Sequence, residues 1–105
     1  MSAINSPRQR AIRKALRLLI PLASFADFSA IETAAREKGK KSLAPTDAAY
    51  LTTLAYIRHA YTDYDALRDE GYDQDSARHF VAPQVTDKLQ DWGSSEQIRL
   101  KDGET

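Results

Sequence analysis

Apolar residues along this chain recur three and four positions apart and nowhere alternate over the length of a strand, so the pattern is helical throughout. Ser6 followed by Pro7 marks the first start. Serine can accept from an orphan amide, and proline at the first helical position lacks the amide that would go unpaired. Ile12, Leu16 and Leu19 then form an apolar stripe, and Pro21 stops the helix after Leu19. Ser24 or Asp27 caps a second helix carrying Phe28, Ile31, Ala34 and Ala35, and after Lys38 stands Gly39, where a left-handed residue would end it. Pro45, Thr46 and Asp47 open a third. Its stripe of Tyr50, Leu54, Ile57 and Tyr61, widened by Leu51 and Ala55, predicts the central helix.

Thr62 followed three residues later by Asp65 resembles a capping box with Asp in place of Glu, which predicts a break near Thr62 and a short fourth helix ending at Gly71. Asp73 caps the next. From there Ala77, Val81, Val85, Leu89 and Trp92 keep one phase straight through Pro83. That proline removes the hydrogen bond to the carbonyl of His79 and disfavours a helical Ala82, so a kink or break with unchanged register is expected. Gly93 ends the helix, and residues 94–105, with only Ile98 and Leu100 as large apolar groups, read as a flexible tail. The expectation is a single all-α domain over residues 1–93, a compact bundle of four to six helices.

Composition narrows the class. At 42% hydrophobic and 29% charged, 105 residues suit one globular domain. A domain of this size holds on the order of 5 kcal/mol of stability. The absence of cysteine excludes disulfides, thiolate chemistry and Cys-based zinc sites. The longest apolar stretch, Leu16 to Phe28, is broken by Arg17, Pro21, Ser24 and Asp27, so no membrane partner is expected and a cytoplasmic location is the default.

A net charge of zero conceals a division. Residues 1–41 carry nine Lys or Arg against three acids, and residues 42–105 carry six against twelve, which gives +6 and −6. Such asymmetry bears on partners, including self-association. Its sharpest expression is the first helix, where Arg8, Arg10, Arg13, Lys14 and Arg17 occur with no acid before Asp27. Arginine offers a forked donor suited to phosphate, so these five are the candidate nucleic-acid-binding residues, with Arg36, Lys38, Lys40 and Lys41 as an extension. The competing readings are a solvated face, or a helix docked on the acidic half of the same chain.

The densest polar cluster lies where the third helix meets the fourth: Arg58, His59, Tyr61, Thr62, Tyr64 and Asp65. It supplies an imidazole, a cation and a carboxylate within about two turns, the ingredients of acid–base chemistry. Helix geometry spreads them over more than one face, however, and no catalytic signature is matched. A structural reading pairs Arg58 with Asp65 across the break at Thr62. The two histidines, His59 and His79, have Asp63 and Asp75 at helical spacing but no second His or Glu, so no metal site is assigned. The four glycines are isolated, and no phosphate-cradling loop or cofactor motif is present.

The series IRH-x-YT-x-YD-x-L (Ile57 to Leu67), AR-x-x-V (Ala77 to Val81) and L-x-x-W (Leu89 to Trp92) resembles an uncharacterised family, domain of unknown function 2293, over roughly Leu16 to Gly93. The resemblance implies a shared fold and supplies no activity. It also suggests that the cluster, with Arg78, defines the domain. The sequence thus reads as a small non-catalytic binding domain. Nucleic-acid backbone is the leading partner, and a protein-interaction module using the charge asymmetry, in homodimeric form or with another protein, is the alternative.

Overall fold

A computed structural model describes residues 6–37 and 40–95. Among these, five helices and no strand are found: α1 (Pro7–Leu19), α2 (Phe25–Ala35), α3 (Pro45–Tyr61), α4 (Tyr64–Asp69) and α5 (Gln74–Asp91). The starts form for the chemical reasons the sequence supplies. Ser6 Oγ accepts from the Gln9 amide while Gln9 Oε1 accepts from the Ser6 amide, a full capping box. Ser24 Oγ accepts from the Asp27 amide, and Asp73 Oδ1 accepts from Ser76 at 2.8 Å. That second bond holds the Asp73 carboxyl below its usual range. α2 stops at Ala35, short of Lys38 and Gly39, and those two lie outside the described residues.

α3 is central and packs against all four other helices, most extensively against α1. The buried stripe of α3 is not quite the one its large residues predict. Tyr50, Leu54 and Ile57 are inside, but Leu51 and Tyr61 are nearly half exposed. The stripe widens instead through Ala48, Ala49, Thr52 and Thr53, all buried. Small side chains on this flank let another helix come close, and Thr53 is tolerated there because its hydroxyl donates to the carbonyl of Ala49 at 2.8 Å. Around this axis the core collects Ile12, Leu16 and Ile20, then Ile31 and Ala35, and finally Ala77, Val81, Val85, Leu89 and Trp92.

Two details concern expectations for the C-terminal part of the fold. Pro83 sits within one continuous α5, with Ala77, Val81, Val85 and Leu89 all buried, so the register is kept and no break occurs. Pro83 and His79 are both exposed, which lets water take the carbonyl that the proline cannot serve. Ser94, assigned from sequence to the tail, is buried and donates its amide to Leu89 O at 2.9 Å. The rest of the expected tail, from residue 96 onward, lies outside the described residues. Gly93 before it takes φ +86°, and its neighbour Trp92 accepts the Leu22 amide at 2.9 Å, which ties the α1–α2 turn to the end of α5.

Candidate functional site

The basic face of α1 is narrower than its sequence suggests. Arg8 faces inward at its tip, donating to Leu43 O at 2.6 Å and to Lys40 O at 2.7 Å, so it clamps the segment before α3. Arg13 Nε donates to Glu32 Oε2 at 2.6 Å, and Arg36 donates to the same oxygen at 2.7 Å. Glu32 is buried. Burial pushes its carboxyl up, but the two guanidinium groups more than offset this and hold it below the usual range. The hydrogen bond to Glu32 in turn raises Arg13. Two of the five expected phosphate contacts are thus structural anchors. Arg10, Lys14 and Arg17 remain exposed, at the i, i+4, i+7 spacing of one helix edge.

The cluster at the α3–α4 corner is assembled, though not by the expected pair. Thr62 ends α3, donating to Arg58 O and accepting from the Tyr64 amide at 3.1 Å, so one hydroxyl serves both sides of the break. Asp65 does not cap α4 and does not meet Arg58. It accepts from His59 Nδ1 at 2.7 Å, both side chains being more than half exposed. Because the carboxylate can only accept, the imidazole proton sits on Nδ1. Arg58 turns the other way, its guanidinium carbon 5.7 Å from the centre of the buried Tyr64 ring, while His59 meets the same ring edge-on at 5.4 Å. Its Nε is buried with no acceptor among the described residues. Burial first, and then the charge of Arg78 on α5, push Arg58 below its ordinary range. Tyr61 leaves this group altogether.

Tyr61 joins a second constellation that the sequence does not reveal. Tyr56 Oη donates to Asp27 Oδ1 at 2.6 Å, and Tyr61 Oη donates to Asp27 Oδ2 at 2.7 Å, with Ser24 Oγ donating to the same Oδ2. Lys88 Nζ stands 4.1 Å from the centre of the Tyr61 ring and 5.5 Å from that of Trp92. The bond from Tyr56 is the main reason Asp27 is held low, and Asp27 in return pushes Tyr56 up to about 12. Helix α2 runs back along α3, which brings its first turn to the end of α3 across some thirty residues of chain. No local spacing encodes that. With both oxygens of the carboxylate already engaged, the arrangement acts as a clasp joining α2, α3 and α5.

Between α1 and the start of α3 lies a groove of about 430 Å³, with Leu18, Leu19 and Tyr50 on its walls and Asp47 and Ser94 beside them. Among the described residues no three His, Asp or Glu side chains converge as metal ligands. Among the described residues no helix is long and apolar enough to cross a membrane.

A small all-α domain with an exposed basic edge on α1 and a polar corner between α3 and α4 is therefore what the fold and sites define. The chain belongs to the family of uncharacterised conserved proteins DUF2293, whose pattern it matches over residues 15–93. No curated protein and no solved structure matches it. The matched span takes in the α3–α4 corner, Arg78 and the Asp27 clasp, but begins after Arg8, Arg10, Arg13 and Lys14 of the basic helix.

Proposed function

We propose that this domain binds the phosphate backbone of nucleic acid through the outer edge of α1. The observation that carries the reading is the exposed series Arg10, Lys14 and Arg17 on a helix that contains no acidic residue. Arg8 strengthens it indirectly. By gripping the carbonyls of Lys40 and Leu43, it holds the exposed Lys41 beside the start of the same helix. Such a surface contacts phosphates without reading bases, so binding is sequence-tolerant and salt-sensitive.

The test is fluorescence anisotropy with labelled mixed-sequence duplex and single strands across a salt series. Three or four phosphate contacts give a log–log slope of about −3 to −4 on duplex. The triple variant R10A/K14A/R17A loses the binding and its slope, with an unchanged thermal midpoint. Absence of binding by the parent chain at low salt ends the reading.

A second reading, a protein-interaction surface, is favoured by one specific feature. Leu18, Leu22 and Phe25, at 74, 70 and 85% exposure, crowd the α1–α2 corner next to Arg17. Large apolar groups exposed together within eight residues fit a surface that a partner covers. Its discriminating test is L18S/F25S, which abolishes complex formation with a protein partner and leaves nucleic-acid affinity unchanged.

A further inference from the structure

We propose that a second copy of this chain covers the α1–α2 corner, seating its Phe80, backed by Tyr72, against Leu18 and the groove between α1 and α3. This rests on the second reading above and names its partner. The large apolar groups that folding leaves exposed gather mainly at two places. One is the corner of Leu18, Leu22 and Phe25. The other is the α4–α5 junction, where Tyr72 and Phe80 are 41 and 61% exposed with ring centroids 5.5 Å apart. The two places carry opposite charge, and each supplies what the other lacks.

The α4–α5 junction offers the part that fills. Tyr72 is held through its backbone, its amide donating to Leu67 O and its carbonyl accepting from Arg68 Nη1, both at 3.1 Å. Its ring is thereby a fixed support for Phe80, so the pair meets a partner with little left to order. Asp69, Glu70, Asp73 and Asp75 flank it, all exposed and none in an ion pair among the described residues. Arg68 is turned to the Tyr72 carbonyl, and Arg78, two residues from Phe80, points to another side of α5. Whatever takes the two rings therefore also meets four carboxylates. Phosphate is excluded by that charge, and an apolar seat edged with cations is required.

The α1–α2 corner is such a seat. Leu18 walls the groove of about 430 Å³, with Ala15, Leu19, Ala49 and Tyr50 as its other apolar lining. Its size falls in the range of about 300 to 1,000 Å³ that encloses a small organic group, so an aromatic side chain fits. Lys14 stands one turn before Leu18 on the same side of α1, and Arg10 and Arg17 continue that edge. Asp47, on the α3 wall, is the single carboxylate of the lining. Because the acidic aromatic face and the basic apolar face are different surfaces of one chain, the contact runs head to tail. Such a contact closes into a ring or grows by addition, and does not stop at a two-fold pair.

The full chain, L18S/F25S and Y72S/F80S are compared by sedimentation velocity over a concentration series at about 0.01 M salt, where exposed charges attract over about 30 Å. The parent chain grows beyond a dimer as its concentration rises. Each variant alone associates about tenfold or more weakly, because each has lost one of the two faces. Mixed in equal amounts, the variants form a one-to-one dimer and nothing larger, since one intact face of each kind remains. That recovery also shows that both variants are folded, and their unchanged thermal midpoints check it independently. A monomeric parent chain overturns the proposal and leaves the corner to a partner of another sequence, for which L18S/F25S remains the test. Association that survives Y72S/F80S, or that does not recover on mixing variants of unchanged thermal midpoint, overturns the head-to-tail contact while the second reading stands.

Discussion

Glu32 is the single residue on which most depends, because one of its oxygens receives both Arg13 and Arg36 while the side chain is buried. Glu32→Ala leaves two cations facing a site that no longer answers them. The expected cost is about 2 kcal/mol, below that of a fully buried pair because both partners reach solvent. Urea unfolding at neutral pH measures it. Protonation has the same effect by another route. Both Glu32 and Asp27 are held below their ordinary values in the folded chain, so their contribution is complete above about pH 4.5 and is lost as pH falls further. The Glu32→Gln variant should flatten that acid limb. At the alkaline end the sign reverses. Tyr56 is raised to about 12, so the stability it lends is whole below pH 10 and disappears as pH rises through 12. Spectrophotometric titration of the five tyrosines should show one ionising last, near pH 12, and Tyr56→Phe should remove that phase. A profile without a late phase rejects the Asp27 clasp.

At the scale of elements, helix ends carry the sharpest tests. Gly71 and Gly93 both take positive φ, +103° and +86°, but they differ in surroundings. A Cβ on Gly71 meets nothing within 4 Å, whereas on Gly93 it comes within 3.1 Å of both Pro21 and Leu22 side chains. Gly71→Ala should therefore cost about 1 kcal/mol from backbone strain alone, and Gly93→Ala distinctly more, with the α1–α2 turn displaced from Trp92. Pro83→Ala runs in the opposite direction. In an exposed turn of a continuous helix it restores one hydrogen bond, with a gain of about 1 to 2 kcal/mol, seen as a higher urea midpoint at unchanged slope.

These ends also mark what was legible beforehand. Ser6, Ser24, Asp73, Gly71 and Gly93 act through local chemistry, and local chemistry is what a sequence displays. The same holds for the register of α5, which depends on spacing and not on Pro83. Asp65 could not be placed in this way. Two carboxylate partners lay within reach of a bend at Thr62, and the choice of His59 over Arg58 follows from the Tyr64 ring claiming the guanidinium, a contact set by how α4 folds back. Likewise the Asp27 clasp and the Arg8 and Arg13 anchors join residues 19 to 35 apart in the chain. Arg8 and Arg13 read as surface, Asp27 as a cap and Tyr61 as core until the helices are packed.

For the molecule as a whole the question is how far the charge division of the sequence persists once the helices pack. The ion pairs of Arg13 and Arg36 with Glu32, and of Lys40 with Glu37, close within the positive half, and that of His59 with Asp65 within the negative one. None of these four neutralises one half with the other. We propose that the charges of +6 and −6 act as a dipole, so that two copies would gain by setting opposite halves together. The attraction is long-ranged only at low ionic strength, since exposed charges are screened beyond about 8 Å at physiological salt and about 30 Å at 0.01 M. Sedimentation velocity across a concentration series should accordingly show weak reversible self-association at the lower salt and a monomer at the higher one. Apolar association at the Leu18, Leu22 and Phe25 corner would show the opposite trend, strengthening as salt rises. A monomer at every concentration in 0.01 M salt would mean that the two charge halves are locally neutralised in three dimensions. The exposed edge of Arg10, Lys14 and Arg17 would then be a solvated surface with little reach toward phosphate.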